Sequence, residues 1–407
     1  IASSQNPFSR ETNFLLSHKT LGQVVFLKIP SVDLYYVKHL GKEEVILNSQ
    51  IINNYQSFLY SSGSTLKTST GVTFYYSDIV SHFNKHEDFR PLSFNAENLE
   101  YKFSNDAFGL RGVNISEKSG TLIGIMGASG SGKTTLLNVL AGIERPSKGS
   151  VKINGIDIFN DKKKIEGLFG YISQDDILLE DLTVFENLFY NAKLCFKNLS
   201  EEDINIRVNQ TLTSLGLEHI KKLKVGNVLN KKISGGQRKR LNIALELIRD
   251  PAVLFVDEPT SGLSSRDSEN VIDLLKELSL KGKIIFVVIH QPSSDIFKKF
   301  DKMFLMDTGG YPIYNGQPVE AVSYFKKASN QINSNYGQCV ECGNVNPEQI
   351  FDIVEAKVVN EYGQLTNQRK VTPQEWNKAY SEESIHKKNN HISTSVGYLL
   401  NKPNKIQ

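Results

Sequence analysis

The stretch "GIMGASGSGKTTLLNVLAG" (124–142) decides how this chain is read. Gly127, Gly132, Lys133 and Thr134 stand in the GxxxxGK[ST] spacing. An apolar run, "TLIGIM" (121–126), precedes them and an apolar helical pattern follows. Glycines let the backbone curl so that its N–H groups point inward, and the helix start adds the positive end of its dipole. The loop from Gly127 through Ala128, Ser129, Gly130, Ser131 and Gly132 to Thr135 is therefore expected to cradle nucleotide phosphates. In such a loop Lys133 reaches the β- and γ-phosphates and the Thr134 hydroxyl ligates Mg2+. The alternative, a Gly-rich turn without a ligand, does not account for the strand on one side and the helix on the other.

Working outward, "AVLFVDEPTSGL" (252–263) is an apolar strand that delivers Asp257 and Glu258 to its C-terminal end. That is where ligand sites form in α/β sheets. Asp257 is suited to hold magnesium through water, and Glu258 to polarise an attacking water. Two more apolar segments end in a polar residue: "GYISQDD" (170–176) in Gln174 and "IIFVVIHQPSS" (284–294) in His290. Either residue alone reads as a capping or loop residue. Converging on a phosphate site, Gln174 is placed to couple magnesium and water to a mobile loop, and His290 to donate to the γ-phosphate and hold Glu258. "ISGGQRKRLN" (233–242) is a second phosphate-ready helix start, with Ser234 as N-cap and Gly235 and Gly236 leaving the next N–H groups uncovered. It lacks a GK[ST], so on local grounds it is either an ordinary capped helix or a partial site with no nucleotide grip of its own.

Composition limits what these motifs can serve. The 407 residues are too many for one ordinary domain, and a net charge of +3 is too small for a dedicated nucleic-acid binder. Basic runs such as "KKLK" (221–224) read as solvated faces. Three cysteines exclude a disulfide framework. The single "CVEC" (339–342) lacks the second ligand pair of a structural zinc site and reads as reduced thiols, with a disulfide or a metal shared with another chain as alternatives. No apolar run approaches the roughly 18–20 residues that span a bilayer. The longest, "KIIFVVIH" (283–290), is strand-length. Opening on Ile1, the chain reads as a fragment that does not itself span a membrane.

The pattern divides the chain into an irregular segment (1–20), a small β-rich domain (21–83), a polar linker (84–91), an α/β unit (92–330) and a C-terminal connector (331–407). "VVFLKI", "LYYVKHL", "EEVILN", "QSFLYSS" and "VTFYYSDI" supply the strands of the β-rich domain. In the connector, 347–359 and 372–384 read as short helices.

Taken together, "GASGSGKTT", "YISQDD", "ISGGQRKRLNIA", "VLFVDEPTSGL" and "VVIHQPSS" resemble an ABC-transporter ATPase cassette in order and spacing, over residues 92–330. The fold implied is a P-loop NTPase cassette with a helical signature subdomain. "RKR" after the signature, "QPSSDIFKKFD" (291–301) and "MFLMDTGGYPIYNGQP" (303–318) resemble the G subfamily of lipid and drug exporters. The resemblance implies ATP and Mg2+ as ligands, with Thr134, Gln174 and Asp257 around the metal and Glu258, Gln174 and His290 around the hydrolysed bond. It implies a second cassette, in the simplest case an identical one, whose P-loop-bound ATP meets Ser234, Gly235, Gly236 and Gln237 of this chain. It implies Phe103, with Tyr101 second, as the aromatic under adenine.

It also implies a transmembrane domain, reached through "NPEQIFDIVEAK" (346–357) and "PQEWNKAY" (373–380), and a place on the cytoplasmic face of a membrane, with no nucleic-acid partner. A soluble, non-transport ABC ATPase or a nucleotide-dependent regulatory module is the alternative. One departure stands out: "SGLSSRDS" (261–268) has Ser264 where the family places an aspartate that crosses to the partner's P-loop, with Asp267 one turn on as a candidate substitute. The strand rhythm of the β-rich domain resembles forkhead-associated modules. It lacks their arginine and Ser-x-x-His pattern, so a packing or regulatory role is expected.

Overall fold

The computed structural model describes residues 24–29, 34–41, 44–48, 50–61, 64–68, 73–76, 79, 83, 92–227, 232–329, 337 and 344–383. The expected irregular segment 1–20, the linker 84–91 and both residues of the "CVEC" pair, Cys339 and Cys342, lie outside them.

The N-terminal region is a two-sheet β module. One sheet has the order β1 (Val24–Ile29), β2 (Leu34–His39), β5 (Ser57–Leu59). The other runs β4 (Gln50–Ile52), β3 (Val45–Leu47), β6 (Thr65–Thr68), β7 (Thr73–Tyr75). Every described pairing is antiparallel, and the alternate residues Tyr35, Val37, Val45, Leu47 and Leu66 fill the space between the sheets. β4 and β6 escape a sequence reading because "QII" and "TLKT" are too short and too polar to show a period of two.

Two sheets and a set of helices build the rest. The antiparallel sheet has the order β12 (Ile156–Asp157), β11 (Lys148–Ile153), β8 (Ser93–Lys102), β9 (Phe108–Lys118). The larger sheet runs β13 (Phe169–Ile172), β14 (Val253–Asp257), β15 (Ile284–Val288), β10 (Leu122–Gly127), β16 (Lys302–Asp307), β17 (Tyr311–Gly316). It is parallel from β13 to β16, with only β17 reversed. Its strands β10, β14 and β15 are buried at every residue, as unbroken apolar runs covered on both faces must be.

One face of the larger sheet packs on the antiparallel sheet and helix α1 (Lys133–Leu140), through Phe94, Leu136, Phe255 and Phe286. A separate core, holding Leu188, Val208 and Leu245, joins α2 (Val184–Cys195), α3 (Glu201–Ser214) and one side of α4 (Gly235–Leu247) into a helical subdomain. Ile243 of α4 reaches the other core, beside α5 (Ser265–Leu280). The helix α4 therefore contributes to both cores and joins the sheet to the helical subdomain.

The core does not stop at residue 330. After α6 (Ser294–Lys299) and α7 (Pro318–Ala328), Val345, Ile350, Ile353, Val354 and Trp376 enter the same cluster as Leu305 and Phe325. The 347–359 stretch is helix α8 (Glu348–Val354) followed by strand β18 (Lys357–Val359), which pairs with β19 (Leu365–Arg369). The helix ends at its C-cap Glu355, and the last residues that the apolar spacing reads as helix, 357–359, pair as a strand across the Asn360–Gly363 turn. Residues 373–383 are helical.

Candidate functional site

Three parallel strands bring the chemistry together at one edge. Asp257 ends β14 in register with Val288, and Ile125 of β10 is also in register with Val288, so the ends of β14 and β10 flank β15. Glu258 and the Gly127 loop therefore leave the sheet side by side.

The glycines of the loop let neighbouring backbone lie directly against it. A Cβ on Gly127 would stand 2.4 Å from the Met306 carbonyl oxygen, and one on Gly132 would stand 2.4 Å from that of Gly109. Gly132 also has a φ of 93°, a conformation L side chains rarely adopt. Lys133 is buried, and its Nζ donates to the carbonyl oxygens of Gly127 and Ala128, both at 2.9 Å, so it folds back across the loop. Burial lowers its pKa, against the pull of Glu258 and Asp257.

Asp257 is 6% exposed, and burial raises its pKa while a hydrogen bond from the Thr134 side chain lowers it. Its Oδ1 is buried with no hydrogen-bond partner, and so is the Ser131 hydroxyl. A buried carboxylate oxygen left unpaired is costly, and next to the Thr134 hydroxyl it makes a donor set of the kind a hard divalent cation takes. Mg2+ fits these residues.

Glu258 adopts φ 43°, a left-handed conformation unusual for a glutamate. Gln174 Nε2 donates to Glu258 Oε2 at 3.2 Å. His290 is exposed just past β15, and no hydrogen bond joins it to Glu258 among the described residues. Gln174, not His290, holds Glu258 here.

The signature helix α4 opens with a full capping box. The Ser234 hydroxyl accepts from Gln237 N–H, and Gln237 Oε1 accepts from Ser234 N–H at 2.8 Å. Ser234 is exposed, Gly235 is half-buried and Gly236 is buried. The next two residues do work that sequence reasoning missed, having read "RKR" only as a family marker. Lys239 is buried and its Nζ donates to the Gln174 carbonyl oxygen at 2.8 Å. Arg238 pairs with Asp176 at 3.0 Å and donates to the Gly226 carbonyl. Burial lowers the Lys239 pKa, with Asp176, Asp175, Asp257 and Glu258 opposing. One turn of α4 thus clamps the loop that carries Gln174. Only the packing of α4 under that loop reveals the role.

At the far side of the loop, Tyr101 donates to Glu144 Oε2 at 2.7 Å and meets Phe103 edge-on at 5.3 Å. Phe103 is 44% exposed. Of the two aromatics, Tyr101 is committed to Glu144 and Phe103 keeps a free surface.

Residues 110–261 match the family model described as ABC transporter. That span holds the P-loop, Gln174, the signature, Asp257 and Glu258. It leaves out Phe103, Ser264 and His290. A protein of Saccharomyces cerevisiae named "Probable ATP-dependent permease" is 38% identical over 269 residues, 64% of this chain and 25% of that protein. "ABC transporter G family member 13" of Arabidopsis thaliana is 40% identical over 222 residues, 54% of this chain and 32% of that protein. The match thus spans a quarter to a third of the length of these relatives. Among solved structures, cbiO1 of Clostridium perfringens, described as part of the ABC transporter complex cbiONQ, is 29% identical with a TM-score of 0.50, covering 59% of this chain and 95% of that one.

Proposed function

We propose that this chain carries an ABC-transporter ATP-binding cassette similar to those of the G subfamily, and that it hydrolyses ATP within a dimer of cassettes to drive export through a membrane-spanning domain. The observation that carries the proposal is the pairing of one complete phosphate site with one incomplete one. Lys133, Thr134, Asp257, Glu258 and Gln174 form a connected cluster. The Ser234 helix start is fully capped yet lacks the GK[ST] with which the first loop grips a nucleotide.

In this reading the backbone N–H groups from Ala128 to Thr135 bind the phosphates, Lys133 leaves the Gly127 and Ala128 carbonyls for the γ-phosphate, and Phe103 stacks on adenine. Mg2+ supplies charge neutralisation when bound, and Thr134, Asp257 and Gln174 are the residues that would hold it. Glu258 orients the attacking water and accepts its proton, while Gln174 fixes the carboxylate. His290 is free to donate to the γ-phosphate once the site closes. Ser234, Gly235, Gly236 and Gln237 present their N–H groups to ATP held by the partner. The membrane domain is a separate requirement, because no helix among the described residues is long and apolar enough to cross a bilayer. A position on the cytoplasmic face, where ATP is available, follows from the same reading.

The test uses two variants of the full chain. Glu258→Gln should keep ATP binding and accumulate as an ATP-dependent dimer by sedimentation. Ser234→Arg should bind ATP at Lys133 as the parent does yet fail to dimerise or release phosphate. Normal phosphate release by Ser234→Arg would refute the shared site.

A further inference from the structure

The signature helix start is already faced by an anion from its own chain. A Cβ on Gly236 would stand 2.5 Å from Asp267 Oδ1 and 2.7 Å from its Cγ, so the Asp267 carboxylate packs directly on the second signature glycine. Its position is fixed from the other side. Ser264 is the N-cap of α5: its hydroxyl accepts from Asp267 N–H at 3.2 Å and donates to Asp267 Oδ2 at 2.9 Å. Ser264 thus holds the Asp267 carboxylate against the chain's own Gly236.

A helix N-terminus favours negative charge, and the effect is confined to the first turn. Two anions at one helix start compete for the same partial charges and repel each other. We propose that Asp267 is a built-in counter-anion of the signature, which opposes the arrival of the partner-bound γ-phosphate and raises the ATP concentration at which two cassettes close. This rests on the shared-site reading above. It assigns Asp267 a positioning role in closure and none in the chemistry.

The experiment is ATP-dependent dimerisation of full-length Glu258→Gln, with and without Asp267→Asn, read by sedimentation across an ATP titration. The half-maximal ATP concentration is expected to fall by about threefold or more when the charge is removed. Asp267→Ser, a smaller neutral side chain, should shift it the same way, so that a packing defect in one variant does not decide the matter. Added salt should narrow the gap between charged and neutral forms, because screening weakens the repulsion. ATP binding by the monomer, measured with Ser234→Arg present to block closure, should not change. Unchanged or weaker closure in both neutral variants overturns the inference and leaves the shared site standing. If the Glu258→Gln parent binds ATP but never dimerises, the shared-site reading falls, and the inference falls with it.

Discussion

At the scale of single residues, the candidate site depends on side chains that touch no phosphate. Lys239 commits a buried ammonium to two backbone oxygens of one loop, that of Ser173 at 3.4 Å and that of Gln174 at 2.8 Å, and the Gln174 side chain sits on Glu258. Burying a lysine without its full set of acceptors is unfavourable, so the contact makes sense as a device for placement. Lys239→Met keeps the packing and removes the donor. Phosphate release at saturating ATP is expected to fall about tenfold, since a small misplacement of an orienting group is enough to do so. The ATP concentration for half-maximal rate should stay close to that of the parent. A drop in ATP binding of the same size would instead place Lys239 in the nucleotide grip.

At the scale of elements, β9 and β16 are tied by an ion pair between Lys302 Nζ and Glu117 at 2.8 Å. The Glu117 side chain is 2% exposed and that of Lys302 is 39% exposed. Burial raises the Glu117 pKa, and Lys302 only partly offsets it. A carboxyl raised in the folded state takes up its proton on folding, so its charge costs stability above the folded pKa. That cost fades as pH falls through the folded pKa and is gone below the unfolded one. Lys302→Met leaves the carboxylate buried and unpaired and should cost about 2–3 kcal/mol at neutral pH. Most of that loss should disappear below about pH 4. Glu117→Gln should hold or slightly raise the neutral-pH melting temperature. Thermal melts of both variants at two pH values check the sign.

At the scale of the whole molecule, the stretch read as a connector packs on the core of the larger sheet through Val345, Ile350, Ile353, Val354 and Trp376. Arg369 at the end of β19 pairs with Asp307 at 2.7 Å, and the Asp307 side chain is 1% exposed. Asp307 ends β16, the strand whose Met306 is in register with Gly127 of the phosphate loop. Trp376 packs on Phe325 with ring centroids 5.3 Å apart. The segment 344–383 is therefore anchored one strand away from the loop that starts at Gly127. Arg369→Ala leaves Asp307 as an uncompensated buried charge and should destabilise by about 3 kcal/mol. Limited proteolysis of that variant should cut within 357–376 before any other region. Cutting at the same sites in variant and parent, at the same rate, would show that the ion pair does not hold the segment down.

The sequence by itself determined the local forms at the candidate site: the glycine loop before Lys133, the strand that ends at Asp257, and the capped helix start at Ser234. Those forms depend on residue types at fixed local spacing, where a glycine turn, a helix start and a strand end are set within a few residues of chain. It also determined the buried strands β10, β14 and β15, whose unbroken apolar runs have one reading. Only the tertiary structure decided what crosses between distant segments. It put Lys239 under Gln174, Asp267 on Gly236 and Arg369 on Asp307. It gave the hold on Glu258 to Gln174 and not to His290, and it drew Val345, Ile350, Ile353, Val354 and Trp376 into the core. Each of these is a long-range charge or packing contact, and nothing in the local period of a chain records which oxygen a distant ammonium will find.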